Sequence, residues 1–176
     1  MTKVLMTKAV MAKKSESTAS GGTPATLALA EAGIQFTAHT YDHDPRAASF
    51  GMEAAEKIGI DPERVFKTLL ADVDGELVVG VVPVAGSLDL RALAVAAGGK
   101  RAVMADPMLA QRRTGYVVGG ISPIGQKSQH RTFVDSSAIL CESVLVSGGR
   151  RGFDVELAPD DLIEVIGATY ADIGRP

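Results

Sequence analysis

The sequence predicts an α/β fold: one domain with a mixed, curved, barrel-like β-sheet flanked by helices. Three observations carry this. Strand-like and helix-like segments alternate irregularly along the chain, against the regular rhythm of a doubly wound sheet. One hairpin signal, Asp74-Gly75, lies between two apolar runs and demands an antiparallel pair. The run Val78-Val79-Gly80-Val81-Val82 is almost continuously apolar, which marks a central strand covered on both faces. A length of 176 residues suits one domain with a proper core, and 46% apolar residues without tryptophan make that core mostly Val, Leu, Ile and Ala.

The elements follow in order. Residues 1–22 combine scattered Met and Lys with Ser-Glu-Ser-Thr-Ala-Ser-Gly-Gly. They have neither the apolar run nor the cleavage site of a signal peptide, and read as a disordered leader or a misassigned start outside the fold, which occupies 23–176. Thr23-Pro24 is a helix start, and the helix runs to Gly33. Ile34 to Tyr41 alternates as a strand, 42–46 is a turn, and Phe50 to Ile58 is a short helix ended by Gly59. Arg64 to Val73 and Glu76 to Val84 are the hairpin strands. Ser87 is expected to cap a helix through Leu93 and Val95 that closes at Gly98-Gly99. Arg101 to Met104 is a strand, and Asp106-Pro107 starts a helix that ends before Gly115. Strands follow at 132–134, 143–146 and 153–157, then a helix at 160–166 and a short strand near Ala171.

The segment richest in chemistry is 114–127, Thr-Gly-Tyr-Val-Val-Gly-Gly-Ile-Ser-Pro-Ile-Gly-Gln-Lys. Glycines let the backbone approach closely and leave N–H groups uncovered, so such a loop can hold an anion or a developing oxyanion with main-chain donors. A second glycine-rich turn is expected over Ser147-Gly-Gly-Arg-Arg-Gly152. Net charge is −3, yet residues 100–151 carry eight bases against three acids, for +5. The positive charge thus gathers around both glycine segments. It is either ordinary solvated surface or a local field for a phosphate-bearing ligand.

Lys67 lies in Val65-Phe-Lys-Thr-Leu-Leu70. Alternation puts it on one face with Val65 and Leu69, and Phe66, Thr68 and Leu70 on the other. An ammonium among apolar neighbours needs an anionic partner or an opening. It is an edge lysine reaching outward, or a cation for a ligand carbonyl or phosphate. Tyr41, at a strand end, can line a pocket and donate a hydrogen bond. Asp154 is either a surface carboxylate paired with Arg150 or Arg151, or a pocket carboxylate for a ligand amine. His39 and His43 stand four apart, but on a strand running into a turn, where the rings diverge; no third ligand is near, and no metal site is expected. Cys141, the one cysteine, excludes an internal disulfide, fits a reducing cytoplasm, and reads as a packing residue rather than a nucleophile. No Gly-x-Ser-x-Gly elbow, dinucleotide fingerprint or P-loop occurs, and no stretch approaches the roughly 20 apolar residues that span a bilayer.

Six motifs in register carry a resemblance: His39-Thr-Tyr-Asp-His43, Val65-Phe-Lys-Thr-Leu-Leu70, Pro83-Val-Ala-Gly86 with Leu88-Asp-Leu90, Met104-Ala-Asp-Pro-Met108, residues 114–123 of the glycine loop, and the 147–152 segment. From about Thr23 to Gly174 the chain resembles the YbaK-type Cys-tRNA(Pro) deacylases, within the superfamily of prolyl-tRNA editing domains. The resemblance implies a cytoplasmic trans-editing hydrolase that breaks the ester of cysteine mischarged on proline tRNA, with no cofactor and no metal. It implies a site of Tyr41, Lys67, Thr68, Gly119, Ser147 and Asp154. Lys67 and Gly119 are then the expected catalytic groups, and Tyr41, Thr68, Gly120, Ser147 and Asp154 the substrate-binding ones. The partners implied are the acceptor end of mischarged tRNA(Pro) and, weakly or transiently, prolyl-tRNA synthetase; no membrane is involved. Alternatives are editing of Ala-tRNA(Pro), a non-catalytic module that binds aminoacyl-tRNA or a nucleotide, and a metal hydrolase using His39 and His43.

Overall fold

The computed structural model describes residues 22–176; the leader expected over 1–22 lies outside them, Gly22 aside. Helix α1 (Pro24–Glu31) starts where the Thr23 side chain accepts from the Thr26 N–H at 3.2 Å, with Pro24 in the first turn, where its missing N–H costs no helical bond. Its Ala25 and Leu29, one turn apart, are fully buried. Strand β1 (Thr37–Thr40) is shorter than the alternation from Ile34 predicted. Helix α2 (Phe50–Ile58) is capped by Ser49 and ends at Gly59, as its pattern indicated.

Strands β2 (Phe66–Val73) and β3 (Glu76–Pro83) form the hairpin around Asp74-Gly75, in register from Phe66 opposite Pro83 to Val73 opposite Glu76. From Leu77 onward β3 is apolar because both its faces are covered. Val79 and Val81 belong to one buried cluster, Val78 and Val82 to another. The next element corrects the sequence reading. Ser87 does not cap a helix; with Leu88 it forms the short strand β4. The cap is Asp89, whose carboxylate accepts from the Ala92 N–H at 3.0 Å, and α3 spans Leu90–Ala96. Either residue type can cap, and the burial of Leu88 beside β3 decides in favour of the later one.

Strand β5 (Ala102–Met104) and helix α4 (Pro107–Thr114, capped by Asp106) lead into the glycine loop. Then come β6 (Thr132–Asp135), β7 (Val144–Arg150), β8 (Phe153–Leu157), α5 (Pro159–Ile166), β9 (Thr169–Ala171) and β10 (Gly174–Arg175). Short 3-10 turns at Pro62–Arg64 and Ser136–Leu140 had no sequence signal assigned to them. β7 is the second correction. It does not stop at Val146 but runs through Ser147 to Arg150, with its register against β8 breaking between those two residues. Only Arg151 and Gly152 turn. The bulge needs glycine: a Cβ on Gly148 would stand 2.3 Å from the Phe153 ring.

The larger sheet has the order β5-β2-β3-β6-β9 and is mixed, since β6 runs parallel to both β3 and β9. A three-stranded antiparallel sheet, β1-β8-β7, meets it at a parallel bridge between Val65 and Leu145, and β10 pairs with β4. The architecture is the predicted α/β domain with a mixed, barrel-like arrangement of strands; its hydrogen bonding is divided among these sheets rather than closed into one ring.

Candidate functional site

β5 pairs only with Ala71–Val73 of β2, so the first half of β2 has a strand neighbour on one side alone among the described residues. A cavity of about 370 Å3 opens there. Its walls come from β2, Tyr41 just after β1, the start of α2, the segment from Met104 to Ala110, the glycine loop, and the facing pair Ser147 and Asp154. Six of the seven residues singled out from the sequence line it together: Tyr41, Lys67, Thr68, Gly119, Ser147 and Asp154. The rest of the lining is mostly apolar, including Phe50, Leu70, Ala105 and Ile121.

Gly120 does not line the cavity. It packs against the β7–β8 turn, where an added Cβ would stand 2.8 Å from the Arg150 backbone, so glycine is required there for close approach. Gly119 differs. Its φ is 89°, and the Gly120 N–H donates to the Val117 carbonyl at 2.9 Å, closing a four-residue turn with glycine in the third position, as a type II turn requires. Among the described residues no hydrogen bond uses the Gly119 N–H.

The charged groups of the cavity are unusual in having no opposite charge of their own. Asp154 sits on β8 between His39 of β1 and Ser147 of β7, and is 6% exposed. Burial pushes its carboxyl from an ordinary 3.8 up to about 7. Neither Arg150 nor Arg151 pairs with it: Arg150 lies over the Phe153 ring at 4.4 Å, and Arg151 hydrogen-bonds the Val118 carbonyl. Lys67 donates from Nζ to the Gly86 carbonyl at 2.7 Å, and burial holds its ammonium below the usual lysine range. No ion pair among the described residues involves Lys67 or Asp154. The Thr68 hydroxyl, in the same wall, is buried with no hydrogen-bond partner. The Tyr41 phenol is raised to about 12, by burial first and then by the negative charge of Asp154 and Glu53. Ser147 Oγ accepts from the Gly149 N–H at 3.2 Å, which orients it within the bulge.

The other candidates lie elsewhere. His39 Nε2 meets Glu156 at 2.7 Å, while His43 Nδ1 meets Glu53 at 2.8 Å, so the two rings serve different carboxylates. No group of three or more His, Cys, Asp or Glu side chains suited to hold a metal ion occurs among the described residues. Cys141 stands outside the cavity lining, with burial raising its thiol pKa, and contacts the Ser137 carbonyl. Around the glycine loop, Arg112, Arg113, Lys127, Arg150 and Arg151 are exposed and make no ion pair among the described residues, which leaves a rim of free positive charge. Among the described residues no helix is long and apolar enough to cross a membrane. The sequence reading missed Phe50 and Gln111. Phe50 packs on Gly119, and Gln111 Oε1 accepts from the Val118 N–H at 2.9 Å. Nothing in the local pattern of either helix distinguishes them; only the fold brings both against the loop.

Comparison with known proteins identifies the family and the fold. The family model of the aminoacyl-tRNA editing domain matches residues 44–165. A protein of Enterococcus faecalis, named as a proposed Cys-tRNA(Pro)/Cys-tRNA(Cys) deacylase, is 39% identical over 121 residues, covering 68% of this chain and 73% of that one. A proline–tRNA ligase of Maridesulfovibrio salexigens is 33% identical over 100 residues, 57% of this chain but 17% of the ligase. The solved structure of a proposed trans-editing enzyme for prolyl-tRNA synthetase shares the fold, with a TM-score of 0.76 at 22% identity over 87% of this chain and 96% of that one. The match spans more than half of the chain and all the walls of the cavity except Tyr41. The chain therefore belongs to the aminoacyl-tRNA editing domain family and is an aminoacyl-tRNA deacylase.

Proposed function

We propose that this chain edits in trans, deacylating cysteine mischarged on proline tRNA. The observation that carries the reading is the pair of uncompensated charges in one cavity. A carboxylate and an ammonium, each kept from an opposite charge of the protein, suit a ligand that brings an amine at one end and a carbonyl or phosphate at the other. An aminoacyl ester at the end of a tRNA has that polarity. Asp154 would hold the α-ammonium. Lys67 would contact the ester carbonyl or the terminal ribose-phosphate region. The Gly119 N–H would receive the developing oxyanion. Tyr41, Thr68 and Ser147 would shape the pocket, with the orphaned Thr68 hydroxyl free for a substrate atom.

The choice of cysteine rests on chemistry and on the Enterococcus relative's name. The cavity walls contain no cysteine and no histidine, so no thiolate and no imidazole base is at hand to activate Ser49, Thr68 or Ser147. Substrate cysteine carries its own nucleophile. Its sulfur attacks the carbonyl carbon, a C–S bond forms, and the ester C–O bond breaks. The thiol proton ends on the departing ribose oxygen by way of solvent. The products are uncharged tRNA and a thiolactone, which water then opens to free cysteine. Holding sulfur beside the carbonyl is the protein's main contribution. A volume of about 370 Å3 is near the small end of ligand sites, roughly 300–1,000 Å3, and fits selection by size. Arg112, Arg113, Arg150 and Lys127 would meet phosphates of the single-stranded acceptor end, and prolyl-tRNA synthetase would supply tRNA selectivity.

Single-turnover deacylation of Cys-, Ala- and Ser-charged tRNA(Pro) by wild type and Lys67→Ala tests the proposal. Cys-tRNA(Pro) should be cleared by wild type, Ser-tRNA(Pro) should resist, and Lys67→Ala should be inactive with an unchanged circular dichroism spectrum. Wild-type turnover by Lys67→Ala would remove Lys67 from the mechanism. Preference for Ala-tRNA(Pro) would replace the substrate assignment.

A further inference from the structure

We infer that Arg151 is a positioning residue for the Gly119 N–H, acting through the peptide bond that joins Val118 to Gly119. Arg151 donates from Nε at 3.0 Å and from Nη2 at 2.8 Å to the same Val118 carbonyl. That carbonyl and the Gly119 N–H belong to one planar trans peptide, so they point in opposite directions. Fixing the oxygen fixes the hydrogen. This peptide is also the central one of the Val117–Gly120 turn. It is the group that rotates when a turn exchanges between types I and II, and the rotation would send the Gly119 N–H to the other side. Arg151 opposes it directly by holding the carbonyl, while Gln111, which accepts from the Val118 N–H at 2.9 Å, fixes the preceding peptide and the Phe50 ring packs against Gly119, 2.7 Å from where its Cβ would lie. The Arg151 guanidinium also lies over the Phe50 ring, 5.2 Å from its centroid, tying these contacts together.

A cation on the carbonyl does more than orient. It draws electron density toward the oxygen, and this makes the N–H of the same amide a stronger donor. Arg151 thus belongs to oxyanion stabilisation without touching substrate, and its charge is directed at the protein's own loop. This inference rests on the deacylase reading for its kinetic arm, but its structural arm does not.

The test uses Arg151→Lys and Arg151→Ala in the full chain. The lysine variant keeps the charge and loses the two-pronged contact. In single-turnover deacylation of Cys-tRNA(Pro), both variants should lose about 100-fold in the rate at saturating enzyme, with the half-saturating concentration nearly unchanged. Added guanidinium ion should raise the rate of Arg151→Ala and leave wild type unaffected. Without any substrate, the Gly119 amide resonance should move in both variants while core resonances such as those of Val79 and Val155 stay in place. A wild-type saturating rate in Arg151→Lys, or a defect confined to half-saturation, would make Arg151 a phosphate contact and overturn the inference. So would an unmoved Gly119 resonance, which decides the matter even if the wild type clears no Cys-tRNA(Pro) and the substrate assignment falls on its own.

Discussion

Asp154→Asn is expected to make the protein more stable and less active. The Asp154 carboxyl is buried without a compensating cation, and its pKa rises from 3.8 to about 7. The folded state therefore holds a proton that the unfolded chain releases at lower pH. A raised carboxyl pKa means that stability is lost as pH climbs from the unfolded value toward the folded one, and the loss levels off above it. The interval is about 3 pH units at about 1.4 kcal/mol each, so ionised Asp154 costs the fold on the order of 4 kcal/mol above neutrality. Asparagine has nearly the same shape and no charge to bury. Urea denaturation across a pH series should show similar stability for the two proteins near pH 4, with the variant pulling ahead by up to about 4 kcal/mol near pH 8. Deacylation by the variant should fall, because the anchor proposed for the α-ammonium is gone. Wild-type deacylation should rise as pH passes through the Asp154 pKa. Parallel stability curves for the two proteins would refute the reasoning, since they would mean that Asp154 is solvated or paired in solution.

Other consequences are simpler to state. Gly119→Ala forces a Cβ onto a residue with φ of 89° and against the Phe50 ring. It should cost about 1–3 kcal/mol in thermal or chemical denaturation and slow deacylation. Cys141→Ser changes a thiol outside the cavity and should leave deacylation at the wild-type rate in the same single-turnover assay. Asp135 behaves oppositely to Asp154. Burial raises its pKa, but hydrogen bonds from Ser137, Gly174 and Ile173 outweigh that and hold it below the ordinary carboxylate range. Its stabilisation is present above the unfolded pKa and lost as pH falls through the folded one. The stability deficit of Asp135→Asn should accordingly shrink on acidification, as followed by denaturation at low pH.

Much of the fold around this site could be read from the sequence, because the signals involved are local, while the set of site residues came from the family resemblance. Thr23-Pro24, Asp106-Pro107 and Asp74-Gly75 set their elements through contacts spanning two to four residues. The valines of β3, interrupted only by Gly80, report burial on both faces, and a lysine in the apolar start of β2 reports an opening beside it. Long-range packing was not legible. Ser87 and Asp89 are equally good caps in isolation, and the burial of Leu88 beside β3, together with the pairing of Ser87 and Leu88 with β10, settles the choice. The 147–150 segment has turn composition but lies in a strand, because β8 and the Phe153 ring occupy the space beside it. Gly119 and Gly120 are adjacent and chemically identical, yet one faces the cavity and the other the Arg150 backbone. Arg151 reaches Val118 across 33 positions of sequence, so its charge could be counted in advance but not its target.

Self-cleavage by the substrate is the claim on which the mechanism stands, and the most direct measurement compares tRNA(Pro) charged with cysteine and with S-methylcysteine. The methyl group adds little bulk and leaves the ester and α-amine intact, but it turns the attacking thiol into a thioether that cannot form a thiolate. The account predicts rapid clearance of the first and a rate at the uncatalysed background for the second, even at saturating enzyme. Hydrolysis of both at similar rates would show that water is the nucleophile.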